Sequence, residues 1–358
     1  MKYQDNPNLN LNDNLKGELR YITLAQVIGC VLVIFGHSFP FVTEVPRAVR
    51  ESQVFLYAFH MPLFVWCSGF LFAYTRQTEK NGLGAFAGKR AVKILVPYVV
   101  LSLVGIAPKA LFSSVLNDSL SLGAYSLTRA FLVPRENIWG HFWFLPMIYL
   151  MGVGAYLLDK IFKKTDKREW WWLIATVGLF AVSEVKSDAG KWLGMNDILH
   201  YGWTYVLGVW MGYVGAEWLT ELSSKRMALI AVGGGNFIVS LMLLVGLKNV
   251  HGTELMLRNS AVAVMMTAGV LAYSMLWARN TTINRRSLIA QTYQIFILSW
   301  PCQLVVEVVT ERLMHLPWWV VMPSVFVTGV CGPLVLIRLV GWFETKTNTK
   351  VLSFVLGR

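Results

Sequence analysis

Two histidines, His37 and His60, lie inside long apolar runs, where an ionisable side chain is hard to hold and is by default a functional residue. Histidine titrates near neutral pH, so it can take a proton from a weak nucleophile and give it back. His60 belongs to the stretch Phe55–Tyr74, which also carries Pro62, Ser68 and Gly69 on one apolar span. Pro62 removes a backbone donor and is expected to bend that helix. A kinked structural helix explains this stretch equally well. His141 and His200 open later apolar runs, whereas His251 and His315 read as hydrogen-bonding residues at a membrane interface. The second feature is cationic, from Gly88 to Tyr98. Lys89 and Lys93 are four residues apart and share a helical face. Such cations near a helix start can hold phosphates or anchor the helix against anionic lipid. The basic run Lys160–Arg168 lacks aromatic and glycine context and reads as anchoring.

The elements that must position these residues follow from composition. Of 358 residues, 55% are hydrophobic and 15% charged, with a mean hydropathy of +0.51; soluble domains hold about 25% charged residues. The chain therefore reads as an all-α integral membrane protein, a bundle of about ten transmembrane helices with both termini cytoplasmic. Spans are expected near 22–43, 54–75, 92–112, 141–162, 169–184, 197–219, 226–247, 257–278, 287–310 and 317–342, each near the ~20 residues that a crossing needs. Residues 1–21 form a cytoplasmic segment, 22–342 the transmembrane domain and 343–358 a cytoplasmic tail. The first twenty residues are polar and Asn-rich, so no cleavable signal is expected. With this topology Lys and Arg favour the inside by roughly two to one. The net charge of +12 is thereby explained by topology and anionic lipid, not by nucleic acid. All six histidines then fall toward the outer side, His37 about 22 Å from the cytoplasmic end of its span. Cys30, Cys67, Cys302 and Cys331 all lie in apolar runs and read as packing residues without disulfide or metal-binding spacing.

Five segments in order resemble the acyltransferase-3 family of integral membrane acyltransferases: Val31–Ser38 around His37; Phe59-x-Met61-Pro62-Leu63-Phe64-x-x-x-Ser68-Gly69-Phe70; Lys89-Arg90-x-x-Lys93-x-Leu95-x-Pro97-Tyr98; His141-Phe142-Trp143-Phe144-Leu145; and, more weakly, Tyr205–Gly212 with Tyr293–Leu298. The resemblance implies transfer of an acyl group from acetyl-CoA to a hydroxyl of a cell-envelope glycan or glycolipid, in the cell membrane and without a metal. It implies His37 as general base, and Lys89, Arg90, Lys93 and Arg76 as the cations that receive the donor. His60, Ser68 or Trp143 would help stabilise the oxyanion, and His141 and Trp143 would line the acceptor side. Two departures matter. Where relatives carry an acidic and then a basic residue before the histidine, this chain has Thr23 and Gln26; the second change removes a cation associated with the donor. Near the C-terminus Ser299 stands where many relatives have histidine. Two other readings of the same scaffold are a glycolipid transporter or flippase, and a structural subunit of an envelope synthase.

Overall fold

The computed structural model describes residues 11–40, 43–111, 124–279, 285–349 and 354–356. Among these the regular structure is helical: α1 (Leu11–Gly36), α2 (Arg47–Tyr74), the single turn α3 (Gln77–Lys80), α4 (Leu83–Leu111), α5 (Ala124–Leu132), α6 (Phe144–Phe162), α7 (Arg168–Ala181), α8 (Met195–Val214), α9 (Ala216–Ser224), α10 (Arg226–Gly246), α11 (Gly252–Ala278), α12 (Arg285–Glu307) and α13 (Trp318–Thr347). A π-helical turn, Val308–Leu313, continues α12. Seven of the described helices are long and apolar enough to cross a membrane. The other three expected spans coincide with the apolar part of α1 (Arg20–Gly36), with α7 and with α8. At 14 residues α7 is about 21 Å long.

The helix α2 is the centre of the molecule. One side of it contributes Met61, Val65 and Phe72 to an apolar cluster with Phe142, Met147, Tyr205 and Phe296. The other side contributes Phe59, Leu63, Trp66 and Phe70 to a second cluster with Ile22, Leu229 and Val262. Two-sided burial is what an almost continuously apolar helix requires. Glycines set its closest contact. A Cβ on Gly69 would lie 2.0 Å from the Tyr205 carbonyl oxygen, and one on Gly208 would lie 2.2 Å from that of Trp66. Gly208 and Gly212 are four apart on α8, so α2 and α8 meet backbone to backbone, the arrangement that small residues permit between membrane helices.

Helix ends follow local chemistry. Pro46 precedes α2 and Pro317 precedes α13, each in extended backbone. Gly194, at φ 72°, precedes α8. The helix α2 runs unbroken through Pro62. The first span is shorter than the sequence implied. α1 stops at Gly36, His37 and Ser38 turn back onto the Val33 and Phe35 carbonyls, and Pro40 offers no donor to continue the helix. His37 therefore sits in the turn that closes α1. Phe41 and Val42, also within the expected span, lie outside the described residues.

Candidate active site

His37, His60 and His141 come from three separate segments and are linked through two aromatic side chains, Trp300 and Tyr57. The His37 ring packs edge-on to Trp300 at 4.6 Å between centroids, and His141 lies 5.8 Å from the same indole. Tyr57 bridges the remaining pair, 6.1 Å from His37 and 5.0 Å from His60. The local geometry explains why His37 is presented outward from α1. The Tyr57 hydroxyl donates to the Gly36 carbonyl at 3.2 Å and the Gln53 amide donates to it at 3.4 Å, satisfying an end carbonyl that the helix leaves open. Gln303 donates to the Ile34 carbonyl at 2.8 Å and lies 3.1 Å from the Ser38 hydroxyl. The turn is thus tied to both α2 and α12.

The three imidazoles differ in what they have left to offer. His60 Nδ1 lies 2.6 Å from the Leu56 carbonyl oxygen. A carbonyl only accepts, so Nδ1 carries the proton and Nε2 presents a lone pair. His141 is buried, and neither of its ring nitrogens makes a hydrogen bond of normal geometry, the Ile297 backbone being the one polar group that interacts with the ring without completing such a bond. An unsatisfied buried ring of this kind points to a missing polar partner, a ligand or water. His37 is half-buried and packs against the rings of Tyr57 and Trp300. The three rings do not converge on a single point: among the described residues no group of His, Cys, Asp or Glu is placed to hold a metal ion.

A cavity of about 770 Å³ lies at the other end of the same helices. Gln26 of α1, Ser68 and Phe72 of α2, Gln77 and Asn81, and Lys89, Arg90 and Lys93 of α4 line it. Lys89 and Lys93 are exposed. Arg90 turns inward, donating to the Ile148 carbonyl at 3.3 Å and lying over the Phe86 ring at 5.5 Å. Its Nε is buried without a partner. Gly152 leaves it room, since a Cβ there would lie 2.9 Å from that nitrogen. The buried Tyr205 hydroxyl is also unpartnered. A cavity with three cations on its wall, one of them keeping an unspent donor, is suited to a polyanion.

The family model described as an acyltransferase domain, that of acyltransferase-3, matches residues 19–338. The chain belongs to the acyltransferase-3 family. Neither the curated proteins nor the solved structures contain a match to it.

Within this acyltransferase-3 chain the residues expected from sequence separate into two groups. His37, His60 and His141 come together; Lys89, Arg90 and Lys93 line the cavity. Ser68 joins the cavity, not the histidines. It stands eight residues, about 12 Å, along α2 from His60, so it is not beside His37. Trp143 also lies elsewhere: it stacks on Tyr201 at 5.5 Å and carries the Arg135 guanidinium 4.0 Å above its ring, with Arg135 paired to Asp197 at 2.6 Å. Arg76 is not on the cavity wall. It takes a left-handed conformation (φ 50°) that ends α2 and starts α3, and it faces Glu79 at 3.6 Å. Gln26, expected from the resemblance to stand where relatives carry a cation, lies on the cavity wall and brings no charge to it. Ser299 is buried and donates to the Phe296 carbonyl. Sequence reading named Tyr205 only as part of a weak motif and passed over Tyr57, Trp300 and Gln303. A signal existed for the last of these, because Gln294, Ser299 and Gln303 put buried polar side chains along an otherwise apolar span.

An ion-paired clamp fixes the segment that walls the cavity. Asp159 is fully buried, accepts from Thr78 at 2.5 Å and Trp172 at 3.1 Å, and pairs with Arg168 through both carboxylate oxygens. Arg168 also reaches Glu79 and Tyr213, and the Tyr156 hydroxyl donates to the Asn81 carbonyl at 2.7 Å. The turn from Gln77 to Asn81 is thereby held from two sides. Lysine cannot reproduce the planar fork of arginine. Arg168→Lys is expected to lose about 1.5–3 kcal/mol, the usual worth of a charged hydrogen bond. Thermal unfolding in detergent reads this directly, and an unchanged melting temperature would count against the clamp.

Proposed function

We propose that the chain is an O-acyltransferase of the cell membrane with ten spans and both termini in the cytosol. It moves an acyl group, acetyl in the first instance, from acetyl-CoA to a hydroxyl of a cell-envelope glycan or glycolipid. The observation that carries this reading is the stacking of two chemically distinct sites on the same helices. α1 carries Gln26 at the cationic cavity and its closing turn carries His37 at the histidine group, while α2 carries Ser68 at the first and His60 at the second. A polyanionic thioester is received at one end and a base stands ready at the other.

The chemistry follows from the groups present. His37 takes the proton of the acceptor hydroxyl as its oxygen attacks the thioester carbonyl. The tetrahedral intermediate carries its negative charge on the former carbonyl oxygen. It collapses by breaking the carbon–sulfur bond, and the imidazolium of His37 returns the proton to the departing thiolate. The products are the ester and free coenzyme A. The oxyanion needs a donor already in place. The Nδ1–H of His60 is spent on Leu56, and Ser68 and Trp143 lie away from the histidine group. His141, buried with no well-formed hydrogen bond on either ring nitrogen, can turn an N–H to the oxyanion while its other nitrogen keeps the weak Ile297 contact, and is assigned that role. Arg90, Lys89 and Lys93 hold the phosphates of the donor.

The test is binding of acetyl-CoA to the purified protein, followed by calorimetry, with acyl transfer scored on an envelope glycolipid fraction. Removing Arg90 is expected to cost about 1.5–3 kcal/mol of donor binding, roughly 10- to 150-fold in Kd. Lys89→Ala and Lys93→Ala have smaller effects because both side chains are solvated. Affinity should also fall with added salt. Donor affinity indifferent to Arg90 and to salt would sink the assignment of the cavity.

A further inference from the structure

The two sites are not continuous. On α2, His60, Phe64 and Ser68 succeed one another at intervals of four, so they share a face, each about 6 Å further along the helix. His60 belongs to the histidine group and Ser68 to the cavity. Phe64 stands between them. Its ring lies 6.2 Å from Phe144 and 6.1 Å from Phe296, and these two are 5.7 Å from each other. The neighbouring helices repeat the order. In α12, Phe296 precedes by one turn the Trp300 that touches His37. At the start of α6, Phe144 follows His141 and is one turn from Ile148, whose carbonyl accepts from Arg90. In α1, Gly29 lies between Gln26 and His37, and a Cβ there would stand 3.0 Å from the Phe64 ring. Phe64 fits against α1 because that position has no side chain. Three rings from three helices therefore occupy one level between the cations and the histidines.

We propose that Phe64, Phe144 and Phe296 form the constriction that the acyl end of the donor must pass, and that this layer restricts the enzyme to short acyl groups. The proposal rests on the donor reading given above. Its physical basis is shape and solvation. The rings meet at steep angles, between 51° and 69°, and close-packed aromatic groups admit added volume only by leaving their rotamers. An apolar layer also gives phosphates no hydrogen bonds, so the charged end of the donor stays on the side of Lys89, Arg90 and Lys93. A thin thioester terminus can part the rings. Each further methylene has to displace a ring.

Two measurements test this. The first compares cleavage of acetyl-, butyryl- and octanoyl-CoA by wild type, Phe64→Ala and Phe296→Ala in the presence of the glycolipid fraction. The octanoyl-to-acetyl ratio is expected to rise at least about tenfold in the variants; an unchanged ratio in protein that melts like wild type overturns chain-length selection. Where an alanine variant does not fold, Phe64→Leu replaces it, with a smaller shift in the same direction. The second measurement does not depend on catalysis. In protein whose four cysteines are replaced by alanine, Trp300→Cys is placed on the histidine side and exposed to a charged thiol reagent added from the face bearing Lys89 and Lys93. Labelling is expected to be slow with Phe64 and at least about tenfold faster with Phe64→Ala. Fast labelling with Phe64 intact means that the layer is no barrier, and the inference fails even in an active acyltransferase. Gated labelling together with no cleavage of any acyl-CoA means that the donor reading is wrong, and chain-length selection falls with it while the barrier stands.

Discussion

His37→Ala is expected to lower acyl transfer by about 10²–10⁴-fold, the usual contribution of a positioned general base, while acetyl-CoA still binds. The two effects separate because His37, the proposed base, and the cations lie toward opposite ends of the helices that carry them. His37 lies in the turn after α1, against Trp300 and Tyr57, whereas the cavity is lined by Gln26, Ser68 and the α4 cations. Truncation also leaves the local fold in place. The end of α1 is held by Tyr57, Gln53 and Gln303 acting on the Gly36 and Ile34 carbonyls, and not by the imidazole. The loss should appear in kcat with little change in donor Kd. His141→Ala, which removes the assigned oxyanion donor, should cost about 10²–10³-fold. A His37 variant that transfers acyl groups within tenfold of wild type would remove this histidine from the mechanism. A variant that loses donor binding as well would show that the two sites are coupled more tightly than their separation implies.

Gly208→Ala is expected to be, with Gly69→Ala across the same contact, among the most damaging methyl groups that can be added to the described helices. The Cβ would stand 2.2 Å from the Trp66 carbonyl oxygen and 3.0 Å from the Phe70 nitrogen, well inside the roughly 3.3 Å at which a carbon and a carbonyl oxygen can rest. Both opposing atoms are helical backbone, so no rotamer change relieves the contact and α2 must move away from α8. A shift of α2 disturbs both apolar clusters at once, because that helix is buried on two sides. The expected loss is about 3 kcal/mol or more, the upper end of overpacking effects. Gly154→Ala on α6 is the matched control. A Cβ there meets nothing within 4 Å, and the change should stabilise by up to about 1 kcal/mol through helix propensity. Thermal unfolding of the two variants in the same detergent gives opposite signs if close backbone packing of α2 on α8 is the reason for Gly208.

The helices were legible in the sequence where the bilayer dictates their length and apolarity: seven of the expected spans are described helices long and apolar enough to cross a membrane, while the other three overlap described helices that do not reach that length and apolarity. Their exact ends were less so. α1 ends at Gly36 through turn hydrogen bonds and Pro40, which hydropathy does not register. For the site, the cations of α4 could be read as a group because they lie within five residues. The three histidines could be read only one at a time. Their meeting depends on how α1, α2, α6 and α12 are arranged around the bundle, and periodicity carries no information about that order. Ser68, Arg76 and Trp143 show the same limit from the other side: each has suitable chemistry near a motif, but helix phase and local pairing direct it elsewhere. Trp300 was hidden by its type, one tryptophan among 15.

The stacking of a cationic cavity and a histidine group on shared helices has an energetic consequence for an enzyme that works in this way. The donor need not leave its own compartment and the acceptor need not enter it; only the acyl group changes sides. The reaction then becomes vectorial, with direction imposed by the protein scaffold and driving force drawn from the thioester bond. No ion gradient or nucleotide hydrolysis enters the balance. The rate of modification on the far side would track the ratio of acyl-CoA to free coenzyme A in the compartment of the donor, making the membrane surface a readout of that metabolic state.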